Sequence, residues 1–366
     1  MERVLISMSG GVDSSVAAWL MKQKGFDCAG AIMKLYDRGD LTDGGTIPGK
    51  CCSVADVMDA RAVAFRLDMP FYVFNFTDIF VEQVIGRFIK AYQNGFTPNP
   101  CIDCNRYLKF ERFLRRADEM DYERIATGHY ARSVNENGRY ILKKGRDATK
   151  DQSYVLYSMT QDQLARTLFP LGGLTKSEVR EIAKEQGITT AEKPDSQDIC
   201  FAPDGDYPGF IERHTGTVAK KGFFMDANDN ILGQHKGIIR YTIGQRKGLG
   251  LSAPHPLYVC ELRPESNAVV LGAHDQLFSK TLIAKDINLI SVGKIDSSLK
   301  VKAKIRYNQP EQPATVWQLD SDTLRVEFAQ PQRAIAKGQA AVLYDGDVVI
   351  GGGAIAEVRD KRTGAG

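Results

Sequence analysis

The sequence has no long hydrophobic run and no signal-peptide pattern. No apolar stretch approaches the roughly 20 residues of a membrane-spanning helix. Met1-Glu2-Arg3 leads directly into the first predicted strand, so we expect a cytoplasmic protein with no membrane partner. The chain has seven cysteines, an odd number in the absence of a secretory signal, which argues against a disulfide framework.

The sequence also has no strong excess of charge of either sign. The formal net charge is +3, so composition neither requires nor excludes a nucleic-acid partner, and any basic surface must be local. The hydrophobic content of 43% and the charged content of 25% are ordinary for a globular protein. A chain of 366 residues exceeds one typical core, which predicts two or three domains.

The most informative stretch follows the first apolar run, Val4–Met8. It is Ser9-Gly10-Gly11-Val12-Asp13-Ser14-Ser15, and an amphipathic helical pattern comes next. A strand, a glycine turn and a helix start aim backbone N–H groups at an anion. The Gly-Lys-Ser/Thr ending of the common phosphate loop is absent. A plain turn with a serine cap is the alternative for any one such turn.

This Ser-Gly-Gly-x-Asp-Ser order resembles the pyrophosphate loop (PP-loop) of the ATP pyrophosphatase families. In those families ATP adenylates a substrate oxygen and pyrophosphate leaves. The resemblance implies that Asp13 helps to hold Mg²⁺ on the departing phosphates.

Strands and helices alternate through the first half of the chain. Strands are predicted at Ala29–Met33, Phe71–Phe76 and Arg124–Thr127, with helices after a cap at Ser53, over Asp78–Asn94 and from Cys104. This pattern predicts an α/β fold with a doubly wound, mainly parallel sheet. The glycine loop, Met33, Cys104 and Gly128 all follow strand ends and are therefore expected to meet.

The second half of the chain has a different pattern. Residues 153–187 are predicted to be helical, whereas short alternating strands follow Asp206, as in Tyr241–Gly250 and Ala341–Ile355. We predict a catalytic domain over residues 1–205, a small β-rich module over 206–275 and a C-terminal β-barrel over 276–366.

Cysteine placement is the second informative feature. Cys101-Ile102-Asp103-Cys104 follows the rigid loop Thr97-Pro98-Asn99-Pro100 at a predicted helix start, where a helix N-terminus would lower the pKa of the Cys104 thiol. Cys200 is a further candidate in a later loop. No second C-x-x-C or C-x-x-H completes a structural zinc site, and the adjacent Cys51-Cys52 chelate poorly. Cys28 and Cys260 are predicted to be buried structural thiols.

Five motifs occur in a fixed order along almost the whole chain. They are Ser9–Ser15, Thr97-Pro98-Asn99-Pro100 with Cys104-Asn105, Thr127-Gly128-His129-Tyr130, Lys150-Asp151-Gln152-Ser153, and Asp195 with Ile199-Cys200-Phe201. Together they resemble the bacterial tRNA-specific 2-thiouridylase family. The resemblance implies a PP-loop fold and an ATP-dependent sulfurtransferase that acts on the wobble uridine of tRNA.

The implied reaction is consistent with the residues present. Adenylation by ATP makes the C2 oxygen of the uridine a good leaving group, and a cysteine persulfide supplies sulfur. By similarity Cys200 carries the persulfide and Cys104 is the nucleophile. Cys104 either attacks the persulfide to release sulfide or resolves the transfer through a Cys104–Cys200 disulfide. The implied partners are tRNAs with a wobble uridine (Lys, Glu and Gln acceptors) and a sulfur donor, either a cysteine desulfurase or a sulfur relay protein.

The resemblance also implies roles for individual residues. The residues implied to bind ATP are Ser7, Met8, Ser9, Gly10, Gly11, Val12, Asp13, Ser14, Met33 and Gly128. Those implied to border the target base are Asn99, Pro100 and Cys101. Those implied to contact tRNA are Lys150, Asp151, Gln152, Arg306 and Tyr307, with Gln339 near that contact, and His129 is implied to lie near the nucleotide. From the residues alone, His129 is equally explained as a satisfied strand-end histidine.

One position departs from the family. Many members carry an acidic residue where this chain has Cys101. Cys101, Cys104 and Cys200 could instead hold a [4Fe–4S] cluster with one open iron for sulfide. The alternative keeps the persulfide route, with Cys101 as a spare thiol.

A basic strand provides the candidate RNA surface. In Lys300–Tyr307 the alternation puts Lys300, Lys302, Lys304 and Arg306 on one face. A barrel strand with its polar face in water is the alternative, and Arg240–Gly248 is a second basic candidate. The rival functions are an amidating PP-loop enzyme and a non-catalytic RNA- or metal-binding protein.

Overall fold

The computed structural model describes residues 1–36, 54–193 and 199–359. The predicted cap at Ser53, the Cys51-Cys52 pair and the Asp195 end of the fifth motif lie outside the described residues. The chain divides into two compact units. The first comprises Met1–Ile85, Pro100–Gly205 and Asp347–Val349, and the second comprises Gly86–Asn99, Asp206–Gly346 and Ile350–Gly366.

The first unit is built on a parallel sheet. Its strands are β1 (Arg3–Met8), β2 (Asp27–Lys34), β3 (Phe71–Asn75), β4 (Arg124–Thr127), the hairpin β5 (Ala131–Glu136) and β6 (Arg139–Lys144), and β7 (Thr167–Leu168). The sheet order is β3-β2-β1-β4-β7, and each of these pairs is parallel. The strand order reverses beside β1, which confirms the predicted doubly wound α/β fold.

Helices alternate with these strands. They are α1 (Val12–Gln23), α2 (Val54–Arg66), α3 (Thr77–Phe80) with π-helical turns at Val81–Gly86, α4 (Arg87–Gln93), α5 (Pro100–Asp103) with π-helical turns at Cys104–Arg112, α6 (Phe113–Glu119), α7 (Gln161–Arg166) and α8 (Lys176–Glu185). Apolar residues of β1, such as Val4 and Ile6, pack against Val16 and Ala17 of α1, and all four are fully buried. This packing fixes the start of α1 against the end of β1.

The second unit contains the β-rich part of the chain. It begins with α9 (Tyr207–Thr215), β8 (Gly222–Met225), β9 (Ile231–His235), β10 (Tyr258–Arg263) and β11 (Ala268–Gly272), and these strands form a sheet in the order β10-β11-β8-β9. The barrel strands are β12 (Phe278–Leu289), β13 (Ser298–Lys304), β14 (Gln312–Gln318), β15 (Thr323–Arg333), β16 (Ala340–Asp345) and β17 (Val348–Arg359). Pairing of β12 with β17 closes these six strands, which confirms the predicted β-barrel.

In the first unit, one element was missed and one prediction of secondary structure was wrong. The hairpin β5–β6 was missed, and the region predicted as helical over 153–187 contains β7. This two-residue strand pairs with β4 through Ile125↔Thr167 and Ala126↔Leu168. A strand this short has no periodicity, and its partner in the sheet determines its conformation.

Two further differences lie in the second unit. No strand forms over Tyr241–Gly250, where Gly244, Gly248 and Gly250 all have positive φ angles that break an extended chain. The helix α9 follows Asp206, which caps it by accepting a hydrogen bond from the Gly209 N–H. Among the described residues, no helix is both long and apolar enough to cross a membrane.

Candidate active site

The glycine loop connects the end of β1 to the start of α1. Gly10 has a φ of +70°, and a Cβ atom placed there would lie 2.4 Å from the Asp56 carbonyl oxygen. Both the left-handed conformation and the close approach of α2 therefore require glycine. Gly11 is extended and caps α1, so the first N–H groups of this helix point out of the loop.

The serines of the loop bond mainly to the loop itself. The Ser14 hydroxyl accepts a hydrogen bond from the Ser9 N–H at 3.1 Å and donates to the Gly11 carbonyl at 3.1 Å. Ser15 Oγ donates to the same carbonyl at 2.8 Å. Ser14 and Ser15 are buried, whereas Ser9 is exposed. Ser9 is therefore the loop serine best placed to meet a ligand.

Two other predicted ATP residues lie on strands that flank the loop. Gly128 follows β4, and a Cβ atom there would lie 2.8 Å from the Ser14 nitrogen and 2.9 Å from the Asp13 carbonyl carbon. Glycine at this position lets the end of β4 touch the first turn of α1. Met33 is buried on β2, the strand that pairs with β1 on its other side.

Asp13 is held by a buried lysine that the sequence analysis missed. Lys176 Nζ lies 2.7 Å from Asp13 Oδ1 and 2.8 Å from Oδ2, and the Tyr130 hydroxyl donates to Oδ1 at 2.8 Å. Lys176 is the first residue of α8, after the capping box of Thr175 and Glu178. A lysine at the positive end of a helix is unfavourable unless it is paired, and this signal was present in the sequence.

A second lysine, Lys193, contacts the loop from the side of α2. Its Nζ donates to the Gly10 carbonyl at 2.9 Å and to Asp56 Oδ1 and Asp59 Oδ2 at 2.7 Å each. Burial lowers the pKa of Lys193, but the hydrogen bonds and charges of Asp56 and Asp59 outweigh burial and raise it. The loop lacks its own lysine, and two lysines from later segments lie against it.

The donor set at Asp13 fits one magnesium ion bound together with phosphates. Mg²⁺ in such sites uses one or two carboxylates and completes its shell with phosphate oxygens and water. Asp13 provides one carboxylate in the first turn of α1, next to the N–H groups that would face the phosphates. Asp13 would therefore hold Mg²⁺. In this structure the same carboxylate accepts hydrogen bonds from the ammonium group of Lys176.

Cys104 lies one turn inside a helix rather than at its start, which corrects the prediction. The helix begins at Pro100, because proline has the φ angle of a helical residue and needs no N–H partner in the first turn. Cys101 is therefore the exposed thiol of the first turn, and the half-buried Cys104 opens the π-helical turns.

The helix that carries Cys104 is anchored near the end of β4. Asn105 Nδ2 donates to the Val155 carbonyl at 3.4 Å, and the Gln152 N–H donates to the Tyr130 carbonyl at 3.0 Å. Tyr130 lies two residues after Gly128. Among the described residues, the buried Asn105 Oδ1, on the residue after Cys104, has no hydrogen-bond donor.

Cys200 lies at the carboxyl end of β2. Its carbonyl accepts a hydrogen bond at 3.1 Å from the hydroxyl of Tyr36, which follows β2. The Phe201 ring packs edge-on against Phe80 at 5.9 Å between centroids. Because β1 and β2 are parallel, Cys200 and the glycine loop are at the same edge of the sheet. Cys200 is half-buried.

The iron–sulfur cluster on Cys101, Cys104 and Cys200 stays a prediction. Across residues 1–36, 54–193 and 199–359, no group of three or more His, Cys, Asp or Glu side chains is placed to hold one metal ion. Of the two predicted structural thiols, Cys28 is buried, which raises its pKa to about 11, and Cys260 is only half-buried.

His129 is a buried, neutral histidine. Its Nδ1 lies 2.9 Å from Thr127 Oγ1, and its ring packs against Phe110 and Phe169 at 5.7 and 6.3 Å between centroids. Burial, and then the positive charge of Lys109, lowers the pKa of His129 well below 6.5. These contacts favour the interpretation as a satisfied strand-end histidine.

In the predicted tRNA-binding segment Lys150-Asp151-Gln152, two side chains bond to backbone groups of the same unit. Asp151 Oδ1 accepts from the Gly145 N–H at 3.0 Å, and Gln152 Oε1 accepts from the Tyr130 N–H at 3.0 Å. Lys150 is half-exposed. A role of these three residues toward tRNA stays a prediction.

Gln339 supports the loop that ends at Asn99, within the second unit. Gln339 Nε2 donates to the Thr97 carbonyl at 2.8 Å, and the Lys337 carbonyl accepts from the Thr97 N–H at 2.8 Å. Asn99 is two residues farther along. Gln339 therefore fixes the segment that was predicted to border the target base.

The basic stripe is confirmed in part. In β13, Lys300 and Lys302 are exposed while Val301 and Ala303 are buried, as the alternation predicted. Arg306 lies beyond the end of the strand and does not belong to the stripe. Its guanidinium donates to the Ile243 and Ala334 carbonyls at 3.2 and 3.1 Å. Lys304 Nζ lies 5.5 Å from the centre of the Tyr307 ring.

Comparisons with known families cover most of the chain. Residues 2–204 match a family model described as a tRNA methyl transferase HUP domain. Residues 209–273 match a tRNA methyl transferase PRC-barrel domain, and residues 279–355 match an aminomethyltransferase β-barrel domain.

Curated relatives are similar over nearly their full length. The tRNA-specific 2-thiouridylase MnmA of Clostridioides difficile is 50% identical over 97% of this chain and 98% of its own. The enzyme of the same name from Clostridium acetobutylicum is 50% identical over 97% of this chain and 99% of its own.

Two of the solved structures that match are more distant. A 4-thiouridine synthetase–RNA complex with bound ATP has a TM-score of 0.37 and 20% identity, covering 59% of this chain and 50% of its own. The NMN synthetase of Francisella tularensis has a TM-score of 0.33 and 18% identity, covering 60% of this chain and 79% of its own.

Proposed function

The chain belongs to the family of tRNA-specific 2-thiouridylases, and from this premise we propose that it replaces the C2 oxygen of a tRNA wobble uridine with sulfur at the expense of ATP. It is then a tRNA-uridine 2-sulfurtransferase. One observation carries the proposal: a glycine loop with two paired lysines lies at the same sheet edge as Cys200. The loop suits the activation of an oxygen, and the thiol suits its replacement by sulfur.

The activation step would use positive charges from lysines outside the loop, because the loop has no lysine of its own. The uridine C2 oxygen bonds to the α-phosphorus of ATP, and pyrophosphate leaves. The N–H groups at the start of α1 and the ammonium groups of Lys176 and Lys193 would stabilise the negative charge that grows on the leaving group. Mg²⁺ held by Asp13 would neutralise further charge on the phosphates. Ser9 would donate its exposed hydroxyl.

The sulfur step uses Cys200 and Cys104. The terminal sulfur of a Cys200 persulfide would bond to C2 as AMP leaves, so that the base is joined to Cys200 through an S–S bond. This S–S bond must then break to release 2-thiouridine, and the thiolate of Cys104 would break it. If the Cys104 thiolate attacks Cys200 Sγ, a Cys104–Cys200 disulfide forms and must be reduced before the next cycle. If it attacks the persulfide earlier, sulfide is released and becomes the nucleophile.

The same premise implies the partners. The substrate would be a tRNA with a wobble uridine, with Lys, Glu and Gln acceptors as the first to test. Nothing in the sequence resembles a desulfurase, so a cysteine desulfurase or a relay protein would load Cys200. We place the reaction in the cytoplasm. Asn99, Pro100 and Cys101 would border the base, while Lys150, Arg306 and Tyr307 would contact tRNA.

The test uses the full-length protein, unmodified tRNA, Mg-ATP and a cysteine desulfurase with cysteine. We expect AMP, pyrophosphate and 2-thiouridine in equal amounts. Cys104→Ser and Cys200→Ser should abolish 2-thiouridine, and the matched control Cys260→Ser should retain it. Formation of 2-thiouridine by Cys200→Ser with the persulfide donor would contradict the cysteine roles.

Two further experiments distinguish the persulfide route from sulfide delivery by a cluster and from amidation. Anaerobic purification followed by iron and acid-labile sulfide analysis tests the cluster, and about four irons per chain would replace the persulfide route by sulfide delivery from the cluster. Substitution of ammonia for the sulfur donor tests an amidating enzyme, and an aminated base with no sulfur product would favour that rival.

A further inference from the structure

A pocket on the first unit takes no part in the site described above. It lies between the start of α3 and the segment that leads from the π-helical turns into α6, and its volume is about 180 Å³. Pockets for drug-sized ligands span roughly 300–1,000 Å³, so this one suits a single small group. The residues that line this arginine pocket are Phe76, Ile79, Arg112, Arg115, Arg116 and Glu119.

The arginine pocket has an excess of positive charge. Its only carboxylate among the lining residues, Glu119, lies 3.6 Å from Arg115 and 2.6 Å from Arg116. Within the described part of the chain, no ion pair involves the guanidinium of Arg112. The planar, forked guanidinium group matches the oxygens of phosphate. The chemistry of the pocket therefore favours a phosphate group as its ligand.

The guanidinium group of Arg116 is partly fixed before any ligand arrives. Arg116 bonds to Glu119 and lies 5.8 Å from the centre of the Phe74 ring. Phe76 is buried and forms part of the lining. Side chains that are already ordered lose less entropy when they bind, so the pocket is better prepared than scattered surface arginines.

The position of the pocket indicates where its phosphate comes from. Arg112 and Arg116 follow Cys104 on one helical segment by eight and twelve residues, or roughly 12–18 Å at the rise of an α-helix. A tRNA with its uridine at Cys104 has backbone phosphates of neighbouring nucleotides within this distance. We propose that the arginine pocket binds a backbone phosphate of the tRNA, a few nucleotides from the target uridine. This inference rests on the proposed function.

The test measures tRNA binding by the full-length protein over a range of salt concentrations. Arg112→Gln/Arg115→Gln should weaken binding about 5- to 30-fold at low salt and reduce the slope of log K against log salt by about 1–2. The matched control Lys24→Gln/Lys184→Gln removes two exposed charges from the same unit and should leave affinity, slope and activity unchanged. Equal slopes for the two double variants would overturn the proposal.

A third variant should change the affinity for tRNA in the opposite direction. Glu119→Gln releases Arg115 and Arg116 from their carboxylate, so tRNA binding should tighten severalfold at low salt. A loss of affinity would count against the pocket. Unfolding midpoints of all variants are measured alongside, and the gain expected from Glu119→Gln is not something that misfolding can imitate.

Competition with inorganic phosphate distinguishes an RNA site from a site for small phosphates. At constant ionic strength, inorganic phosphate should compete with tRNA in the wild type and not in the arginine variant. If phosphate stabilises the wild type while the arginine variant binds tRNA normally, the pocket takes small phosphates and not RNA, and the proposal fails. A wild-type protein that forms no 2-thiouridine contradicts the proposed function instead, and is recognised before any variant is compared.

Discussion

Replacement of Lys176 by glutamine tests whether the missing lysine of the loop is supplied from α8. Lys176 Nζ bonds to both oxygens of Asp13, and only 11% of the Lys176 side chain is exposed. Breaking a fully buried ion pair costs about 3–5 kcal/mol. Asp13 is 32% exposed and keeps its hydrogen bond from Tyr130, so we expect a smaller loss of about 1–3 kcal/mol in unfolding free energy.

The effect on catalysis should be larger than the effect on folding. One donor aimed at developing charge contributes about 10²–10³ in rate, so pyrophosphate release by Lys176→Gln should fall by about that factor. The assay follows AMP and pyrophosphate at saturating tRNA, with Lys176→Arg as the control that keeps the charge. The double variant Asp13→Asn/Lys176→Gln should recover stability without recovering activity.

A nearly normal rate would refute the catalytic role of Lys176. If Lys176→Gln releases pyrophosphate within about threefold of the wild-type rate, the ammonium group serves only to hold Asp13, and the charge at the leaving group comes from elsewhere.

Three further predictions concern the surroundings of the loop. Gly128→Ala places a Cβ atom 2.8 Å from the Ser14 nitrogen, so it should cost about 1–3 kcal/mol in unfolding free energy and raise the KM for ATP. The folded state lowers the pKa of His129, so it binds fewer protons than the unfolded state; stability should therefore fall as pH drops below about 6.5, and His129→Gln should reduce this loss in urea unfolding at pH 7.5 and 5.5. Gln339→Ala removes the 2.8 Å hydrogen bond to the Thr97 carbonyl, which should cost about 1 kcal/mol and raise the KM for tRNA while the KM for ATP is unchanged.

The nucleotide loop was predictable because its signals are local. A buried strand, two glycines and an amphipathic helix follow one another within Val4–Met21, and each has a fixed backbone consequence. The alternation in β13 was predictable for the same reason. The end of that alternation was not, because the strand stops at Lys304 and Arg306 bonds to backbone carbonyls beyond it.

The lysines of the loop were not predictable from local pattern. Lys176 and Asp13 are 163 residues apart, and Lys193 and Asp56 are 137 residues apart. Lys193 lies in a polar segment where an exposed side chain is the usual outcome, and the helix start at Lys176 indicates a paired lysine without indicating its partner. Only the folded sheet brings each lysine to its aspartate, so these ion pairs follow from tertiary structure and not from the local sequence.

The π-helical turns at Cys104–Arg112 make the aim of the Cys104 thiol depend on the number of residues in the segment. Such turns hold one more residue than α-helical turns. The number of residues in them therefore sets how the helix before them is oriented relative to the helix after them. Deletion of the exposed Glu111 would let the segment wind as an α-helix, with Phe113 and Leu114 still in the core. Cys104 would then change its direction around the helix axis, and the buried Leu108 and Phe110 would turn with it. A variant one residue shorter should therefore lose stability together with its sulfur chemistry.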